Sequence, residues 1–255
     1  MNSKIRSSRV ELFRRLAPVL FSVAFVVAPL RADDTMAQPT TAVEASQLHY
    51  LTGKKPDAIA LLAPPPLPDS PEQAADMEEV RAVYHAATSN DIAAAYSEKK
   101  FDIFNFTPAI GDFFQPGKFP KAEEFFHHVQ KDAETVTGAA KEYWKRPRPY
   151  AVDPTLAAGK LEKSFSYPSG HSTESMVLAL VLADLFPVKR DAILAKARGI
   201  GWHRIEIGRH YPTDIYAGRV FAQAIVREMK RNAAFQTDFA GVKAEIAAMP
   251  QAARN

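Results

Sequence analysis

The sequence predicts an all-α fold, organised as a single-domain helical bundle behind an N-terminal leader. No segment alternates apolar and polar residues between turn signals in the way that a half-buried strand does. After a proline-rich stretch that ends near residue 71, nearly every segment is rich in helix-forming residues. One stretch, between residues 125 and 143, carries apolar side chains at helical spacing. These observations favour helices packed on helices over any sheet architecture.

The first 32 residues are typical of a secretory signal peptide. An apolar run over residues 16–30 follows five basic side chains, Lys4, Arg6, Arg9, Arg14 and Arg15. The small residue Ala32 offers a cleavage point after the run, and Ala37 offers a second. A membrane-spanning helix needs about 20 apolar residues, so an uncleaved anchor is the less favoured alternative. We expect export to a bacterial periplasm, with no stable membrane insertion once the signal is removed.

Removal of residues 1–32 reverses the net charge of the chain. The full sequence has 32 basic and 29 acidic residues, a formal net charge of +3. Without the signal peptide the counts are 26 and 28, a net charge of −2. The mature chain therefore gives no indication of binding to nucleic acid or to an anionic membrane. It has no cysteine, which excludes disulfides, thiolate metal sites and a cysteine nucleophile.

The mature chain begins with a proline-rich segment and continues as helices. Residues 33–71 are rich in Pro, Ala and Thr, and they are expected to be extended and polyproline-like. The helical domain is expected to cover residues 72–255. Its first helices fit residues 72–88 and 90–100, with a cap at residues 89–91. Residues 102–119 contain five Phe together with Pro and Gly, which indicates a buried loop or short helices packed by aromatic rings.

The clearest helix carries an apolar stripe at steps of three and four residues. The stripe consists of Phe125, Val129, Ala133, Val136, Ala140 and Tyr143. Lys141 falls outside the stripe and is expected to face outward. Further helices fit residues 171–186, 188–207, 212–231 and 234–248. Roughly 220 mature residues are enough to bury a substantial core.

Two clusters of polar residues lie where helices are expected to end or begin. Lys141 and Arg148 flank the end of the striped helix, and alone they fit a basic turn that complements the helix dipole. Ser169, Gly170 and His171 directly precede an apolar helix. Backbone N–H groups of Ser169 and Gly170 would there face an anion at a helix N-terminus, and His171 is placed to donate a proton. A serine cap beside an incidental histidine is the alternative.

A third cluster contains Arg204, His210 and Asp214. Pro212 fits the first turn of a helix, so His210 lies just before that helix and Asp214 within its first turn. This spacing lets Asp214 accept from one imidazole nitrogen and leaves the other nitrogen free as nucleophile or base. The three clusters together offer cations, an anion-binding helix start and two histidines. A tetrahedral oxyanion with a leaving group requires such a set.

These residues resemble the signature of the type 2 phosphatidic acid phosphatase superfamily. The pattern K-x6-R-P, then P-S-G-H, then S-R-x5-H-x3-D is matched by residues 141–149, 168–171 and 203–214. One specified position departs, since His203 stands where the pattern has Ser. A Leu-Leu-x-Pro-Pro-Pro entry at residues 61–66 and an Asn-Ala-Ala-Phe-Gln segment at 232–236 extend the resemblance to the bacterial class A non-specific acid phosphatases.

The resemblance implies a metal-independent phosphatase of the fold shared by acid phosphatases and vanadium haloperoxidases. It would act on small phosphate monoesters with broad specificity, need no cofactor, and be inhibited by phosphate or vanadate. By family role, His210 attacks phosphorus, Asp214 orients His210, and His171 protonates the leaving group and then activates water. The phosphoryl oxygens would be held by Lys141, Arg148, Ser169, Gly170 and Arg204. A homodimer is possible on the same grounds.

Several residues near the motif carry their own expectations. Replacement of the motif Ser by His203 should preserve phosphate binding through Arg204 while changing local hydrogen bonds and pH dependence. Arg209 is expected to contact substrate or to close the site with an acid such as Glu206. His127 and His128 point to different faces of a helix, so a shared metal is not expected. His49 and His85 are expected to be surface or core residues.

Three other functions remain open. The first is a soluble phosphatase for lipid phosphates or pyrophosphate, which the sequence separates poorly from a monoesterase. The second is a vanadium-dependent haloperoxidase, a class that resembles the same signature but usually has a much longer chain. The third is a non-catalytic phosphate-binding or structural protein whose site lost its activity through His203.

Overall fold

Ten α-helices and three short 3₁₀ turns make up the secondary structure of residues 48–249, the part of the chain that this computed structural model describes. No strand occurs in that range, and the predicted all-α class is confirmed. The described residues belong to a single compact unit. The predicted signal peptide with its cleavage sites, and residues 33–47 of the segment 33–71, lie outside the described residues.

The first four helices of the described chain lie between residues 58 and 110. They are α1 (Ala58–Leu61), α2 (Pro71–Ala86), α3 (Ser89–Ser97) and α4 (Thr107–Ile110). The short helix α1 interrupts a segment that its prolines predict to be extended. The cause is local, because the Asp57 side chain accepts from the backbone N–H groups of Ile59 and Ala60 at 2.9 and 3.2 Å.

Six helices form the remainder of the bundle. They are α5 (Pro120–Trp144), α6 (Pro149–Val152), α7 (Gly170–Leu185), α8 (Arg190–Glu206), α9 (Pro212–Met229) and α10 (Ala233–Ala247). Apart from the short helices α1, α4 and α6, and from the start of α5, which lies five residues before the predicted stripe, the observed ends agree with the predicted ones to within three residues. The stretch 101–120 contains a 3₁₀ turn, α4 and a cluster of Phe rings that includes Phe104, Phe114 and Phe119, as predicted.

The central helix of the bundle is α7, which packs against α5, α8 and α9. It is buried almost all round, with Val177, Leu178, Ala179, Val181 and Leu182 at 0% exposure, as expected of a helix that is apolar on every face. Gly218 on α9 allows a close approach to the start of α7, because a Cβ there would lie 2.9 Å from the Ser169 carbonyl oxygen. The first turns of α7 and α9 are thereby brought together.

A smaller apolar cluster lies beside the first turn of α9 and is separate from the main core. It contains Met77, Val80, Leu156, Ile205, Tyr211 and Ile215. The cluster packs α2 and the end of α8 against the residues that precede and begin α9. Within residues 48–249, no helix is both long and apolar enough to span a bilayer.

Candidate active site

The predicted site residues meet at a cavity of about 560 Å³ formed where several helices begin or end. Its walls include Lys141 near the end of α5, Arg148 just before α6, and Gly170 and His171 at the start of α7. His210, which precedes α9, completes this wall. The structure thus brings together residues from all three sequence clusters.

His210 is held between a carboxylate and a guanidinium. Its Nδ1 lies 3.2 Å from Asp214 Oδ2, and its Nε2 lies 3.2 Å from Nη1 of Arg148. A guanidinium can only donate, so Nε2 accepts and the ring proton resides on Nδ1, facing Asp214. Burial, with a contribution from Arg148, lowers the pKa of His210 well below its usual value. The free protein therefore holds a neutral imidazole whose Nε2 lone pair accepts from Arg148, and both side chains line the cavity.

Asp214 is fully buried and accepts from several donors at once. Ser166 Oγ donates to Oδ2 at 2.5 Å, and the backbone N–H of Tyr211 donates to the same oxygen at 3.0 Å. Arg146 Nη1 donates to Oδ1 at 2.7 Å. A carboxylate with these partners has one orientation, and that orientation fixes the ring of His210.

His171 is the second histidine of the site. Its ring makes a hydrogen bond to the backbone of Lys99 and lies 5.5 Å, between ring centroids, from Phe101. Its Nε2 is buried and has no hydrogen-bond partner. Burial, followed by the charge of Arg204, lowers the pKa of His171 to about 3. A histidine in this state is neutral until an anion enters and offsets the nearby cations.

The two arginines predicted to hold a phosphoryl group share a carboxylate in the free protein. Glu162 Oε2 lies 2.6 Å from Nη2 of Arg148, and its other oxygen is paired with Nη2 of Arg204. Burial alone would raise the pKa of Glu162, but Arg148 and the neighbouring cationic groups lower it to about 2. The Nε of Arg204 is buried without a partner, which leaves a donor free for an incoming anion.

The expectation that Lys141 faces outward is wrong. Its side chain is buried, and Nζ donates to the carbonyl oxygens of Phe165 and Ser166 at 2.7 and 3.2 Å. The loop before α7 covers this end of α5, an arrangement that helical periodicity alone does not show. Burial, followed by repulsion from Arg148, lowers the pKa of Lys141 to about 7.

Ser169 and Gly170 occupy the predicted helix start, with one difference. The backbone N–H of Ser169 donates to the carbonyl of Asp214 at 3.1 Å, so it does not face an anion as expected. Its hydroxyl oxygen caps α7 by accepting from the backbone N–H of Ser172 at 3.3 Å. Gly170 lines the cavity, and a Cβ there would lie 3.3 Å from Glu174 Oε1.

Arg209 and the remaining histidines also have defined surroundings. The predicted contact between Arg209 and Glu206 is wrong, because Arg209 is buried and donates to the carbonyl oxygens of Ala158 and Lys160. It thereby holds the loop that carries Glu162. His49 stacks on His128 at 3.9 Å between ring centroids. Among residues 48–249, no group of three or more potential metal-ligating side chains is positioned to hold a metal ion.

Three residues with clear roles in the geometry were not singled out from the sequence. Arg146 and Ser166 both donate to Asp214, and Glu162 joins the two arginines. Arg146 lies within the first motif, two residues before Arg148. The sequence therefore showed a second arginine there, although not its partners. Ser166 and Glu162 lie in a loop without periodicity, and no sequence signal could have assigned their partners.

The comparisons with known proteins agree with this geometry. The model of the PAP2 superfamily matches residues 133–237, a range that contains the three motifs. A non-specific acid phosphatase from Providencia stuartii is 30% identical over 216 residues, covering 78% of this chain and 85% of the relative. An acid phosphatase from Zymomonas mobilis is 28% identical over 199 residues, covering 74% and 75%.

A shorter match reaches a different kind of relative. A lipid A 1-phosphatase from Rhizobium etli is 45% identical over 56 residues, which cover 22% of this chain and 24% of the relative. The longer matches extend over most of both chains and share the acid phosphatase name. Motifs and relatives agree that the chain belongs to the PAP2 superfamily, as an enzyme of the acid phosphatase kind.

Proposed function

We propose that the protein hydrolyses a range of phosphate monoesters through a phosphohistidine formed on His210. The observation that carries this proposal is the pair of contacts on the His210 ring, Nδ1 to Asp214 and Nε2 to Arg148. These contacts select the tautomer in which Nε2 is the nucleophile, and they place that nitrogen among cations suited to a phosphoryl group.

The first step of the proposed reaction is binding of the phosphate. Arg148, Arg204 and Lys141 supply positive charge, while Ser169 and Gly170 supply the start of α7. Glu162 leaves the arginines as the phosphoryl oxygens replace its carboxylate. Because these side chains neutralise the charge on the oxygens, the proposed reaction uses no metal ion or other cofactor.

The second step transfers the phosphoryl group. Once the Arg148 N–H that faces Nε2 donates to a phosphoryl oxygen instead, the Nε2 lone pair of His210 forms a bond to phosphorus as the ester P–O bond breaks. His171, protonated once the bound anion offsets Arg204, gives its Nε2 proton to the departing alkoxide oxygen. The Nδ1 proton of His210 stays hydrogen-bonded to Asp214, which stabilises the positive charge on the phosphorylated ring.

The third step releases phosphate. Neutral His171 takes a proton from a water molecule, whose oxygen attacks phosphorus while the P–N bond to His210 breaks. The products are inorganic phosphate, an alcohol and the original enzyme. Because the product binds the same cations, phosphate and its analogue vanadate should inhibit.

Broad specificity is supported by the lining of the cavity away from the phosphate groups. Its rim carries the long, exposed side chains of Lys99, Lys160 and Lys163, and its wall includes Gly138. Flexible chains and a glycine present few fixed hydrogen-bonding groups to a leaving group. A site of this kind selects the phosphoryl group and discriminates little among alcohols.

The test of the proposal is hydrolysis of p-nitrophenyl phosphate in EDTA. We expect turnover in EDTA and a loss of at least about 10³-fold for His210→Ala, with His85→Ala as a control histidine outside the cavity. Rapid quenching should trap protein-bound phosphate that is stable to alkali and released by acid. Undiminished turnover in His210→Ala would exclude the phosphohistidine, and dependence on added metal would exclude the metal-free route.

The same preparation separates the other candidate functions. A preference for a lipid phosphate or for pyrophosphate in a kcat/KM panel would favour the first alternative. Bromide oxidation after loading with vanadate would favour a haloperoxidase. Phosphate binding without any hydrolysis would favour a non-catalytic protein.

Export and assembly belong to the proposal as well. We expect the enzyme in the periplasmic fraction with an N-terminus at Asp33, or at Gln38 if cleavage follows Ala37. Sequencing the N-terminus of the fractionated protein tests this. Sedimentation of the mature chain tests the homodimer that the family resemblance implies.

A further inference from the structure

The residue that departs from the superfamily motif has a specific partner. His203, near the end of α8, places Nδ1 2.6 Å from Oε2 of Glu98. Lys196 donates to the other oxygen of Glu98 at 2.7 Å. Glu98 is only 2% exposed, and it follows α3 directly, so two side chains of α8 hold the end of α3 through one buried carboxylate.

The segment that Glu98 begins also contacts the second histidine of the site. Residues 98–101 leave α3 and run past His171, which hydrogen-bonds the backbone of Lys99 and packs beside the Phe101 ring. The far end of the segment is held by Gln130 on α5, whose amide donates to the Phe101 carbonyl at 3.2 Å. The segment is therefore anchored on both sides of the point at which it contacts His171.

The contact with Lys99 determines which nitrogen of His171 faces the cavity. Because Nε2 is the nitrogen without a partner, the bond to Lys99 uses Nδ1. This bond raises the pKa of His171 against the larger lowering by burial, as expected when a ring N–H donates to a carbonyl oxygen. The proton on Nδ1 leaves Nε2 directed at the site, free to take up and deliver the catalytic proton.

We propose that His203 is a positioning residue for the general acid. Through Glu98 it holds residues 98–101 in the place where the Lys99 carbonyl fixes the orientation and tautomer of His171. The inference rests on the proposed function, because it requires His171 to protonate the leaving group. It also gives a role to the residue that stands in place of the motif serine, a side chain too short to reach Glu98 in the same way.

The charges around this pair favour the arrangement. The hydrogen bond with Glu98 raises the pKa of His203, and bonds from His203 and Lys196 lower the pKa of Glu98 against the raising effect of burial. Both shifts favour the charged forms, protonated His203 and ionised Glu98, which would form an ion pair at this contact. In a His203→Ser variant Lys196 remains on Glu98, so we expect a displaced segment in a folded protein.

The test compares two substrates that differ in their need for an acid. p-Nitrophenolate leaves without protonation, whereas the alkoxide of an alkyl phosphate such as ethyl phosphate requires it. In kcat/KM, which reports steps up to phosphoryl transfer, His203→Ser should lose about tenfold more on ethyl phosphate than on p-nitrophenyl phosphate. His203→Asn, which keeps a donor at the position of Nδ1, should remove most of that bias. Glu98→Gln should show the bias as well.

His171→Ala serves as the reference, and its bias toward loss on ethyl phosphate should be larger than that of every other variant. Equal losses on both substrates in His203→Ser, or no loss, would overturn the inference while leaving the role of His171 intact. A His203→Asn variant as biased as His203→Ser would also overturn it. If His171→Ala itself shows no bias, the proposed acid role fails, and the inference fails with it.

Discussion

At the scale of single residues, Glu162 occupies the position of a competing anion. Its two oxygens pair with Arg148 and Arg204, the same side chains that the proposed reaction assigns to the phosphoryl oxygens. With a pKa lowered to about 2 by those cations despite burial, Glu162 stays ionised throughout any ordinary assay range. Phosphate must therefore displace a charged side chain in order to bind.

Glu162→Gln should strengthen the binding of phosphate. Removal of one negative charge weakens the hold of this side chain on both arginines, and charge-assisted hydrogen bonds contribute about 1.5–3 kcal/mol each. We expect the inhibition constant of inorganic phosphate to fall about tenfold, which corresponds to about 1.4 kcal/mol. Glu134→Gln is the control, because Glu134 also lines the cavity but pairs with Lys131. Unchanged or weaker inhibition in Glu162→Gln would contradict this prediction.

The lowered pKa of Lys141 predicts that anion binding depends on pH. Burial lowers the pKa of Lys141 to about 7, so the free enzyme carries this cation below that pH and loses it above. An anion that requires the cation should then bind about tenfold more weakly per pH unit above the pKa, because one proton must be taken up on binding. Tungstate, whose charge stays constant across this range, is a suitable probe of the inhibition constant.

Lys141→Arg tests the cause of that dependence. Arginine keeps its charge at every assay pH, so the alkaline rise in the inhibition constant should flatten in this variant. A rise of equal steepness in both proteins would show that another group is responsible.

At the scale of elements, Arg146 joins three helices around the base of the site. Its Nη2 donates to Asp76 on α2 at 2.7 Å and its Nη1 donates to Asp214 on α9 at 2.7 Å. The guanidinium also lies over the Tyr211 ring at 3.9 Å. Because Arg146 follows the end of α5, one buried cation links α2, α5 and α9 and sets the carboxylate that orients His210.

Arg146→Met should destabilise the protein strongly. The substitution leaves two buried carboxylates, Asp76 and Asp214, without the cation between them, and breaking a buried ion pair on one side costs about 3–5 kcal/mol. Urea denaturation measures the change in the free energy of unfolding. The control is Arg81→Gln, which breaks the largely exposed pair with Asp153 and should cost at most about 1 kcal/mol. Similar losses in the two variants would contradict the network assigned to Arg146.

The helices were predictable because their signals are local. The stripe of α5 and the apolar run of α7 depend on residues within one helix, and caps such as Ser70 lie next to the helices that they begin. The motif likewise identified residues that line one cavity in the structure. The buried position of Lys141 and the pairing of Glu162 depend on the loop before α7, which has no periodicity, so they became visible only when distant segments were placed together.

At the scale of the whole molecule, one carboxylate ties the start of the described chain to the bundle. Asp132 on α5 is buried, and it accepts from the backbone N–H groups of His49, Tyr50 and Leu51 at 2.7, 2.7 and 2.9 Å. The Tyr50 hydroxyl donates to Asp238 on α10 at 2.9 Å. Residues 48–51 thus bridge α5 and α10.

Asp132→Ala should release this segment before the bundle unfolds. The substitution leaves three backbone donors without an acceptor, and each buried, unsatisfied donor costs about 1–3 kcal/mol. Detachment of residues 48–51 lets water satisfy those groups, so we expect the loss in the free energy of unfolding to level off near about 3 kcal/mol. Trypsin should then cut at the exposed Lys54 under conditions in which the wild type resists.

Glu134→Gln, an exposed substitution on the same helix, should leave both properties unchanged. Cleavage of Asp132→Ala only at the urea concentration that unfolds the whole chain would show instead that these residues and the bundle form one cooperative unit.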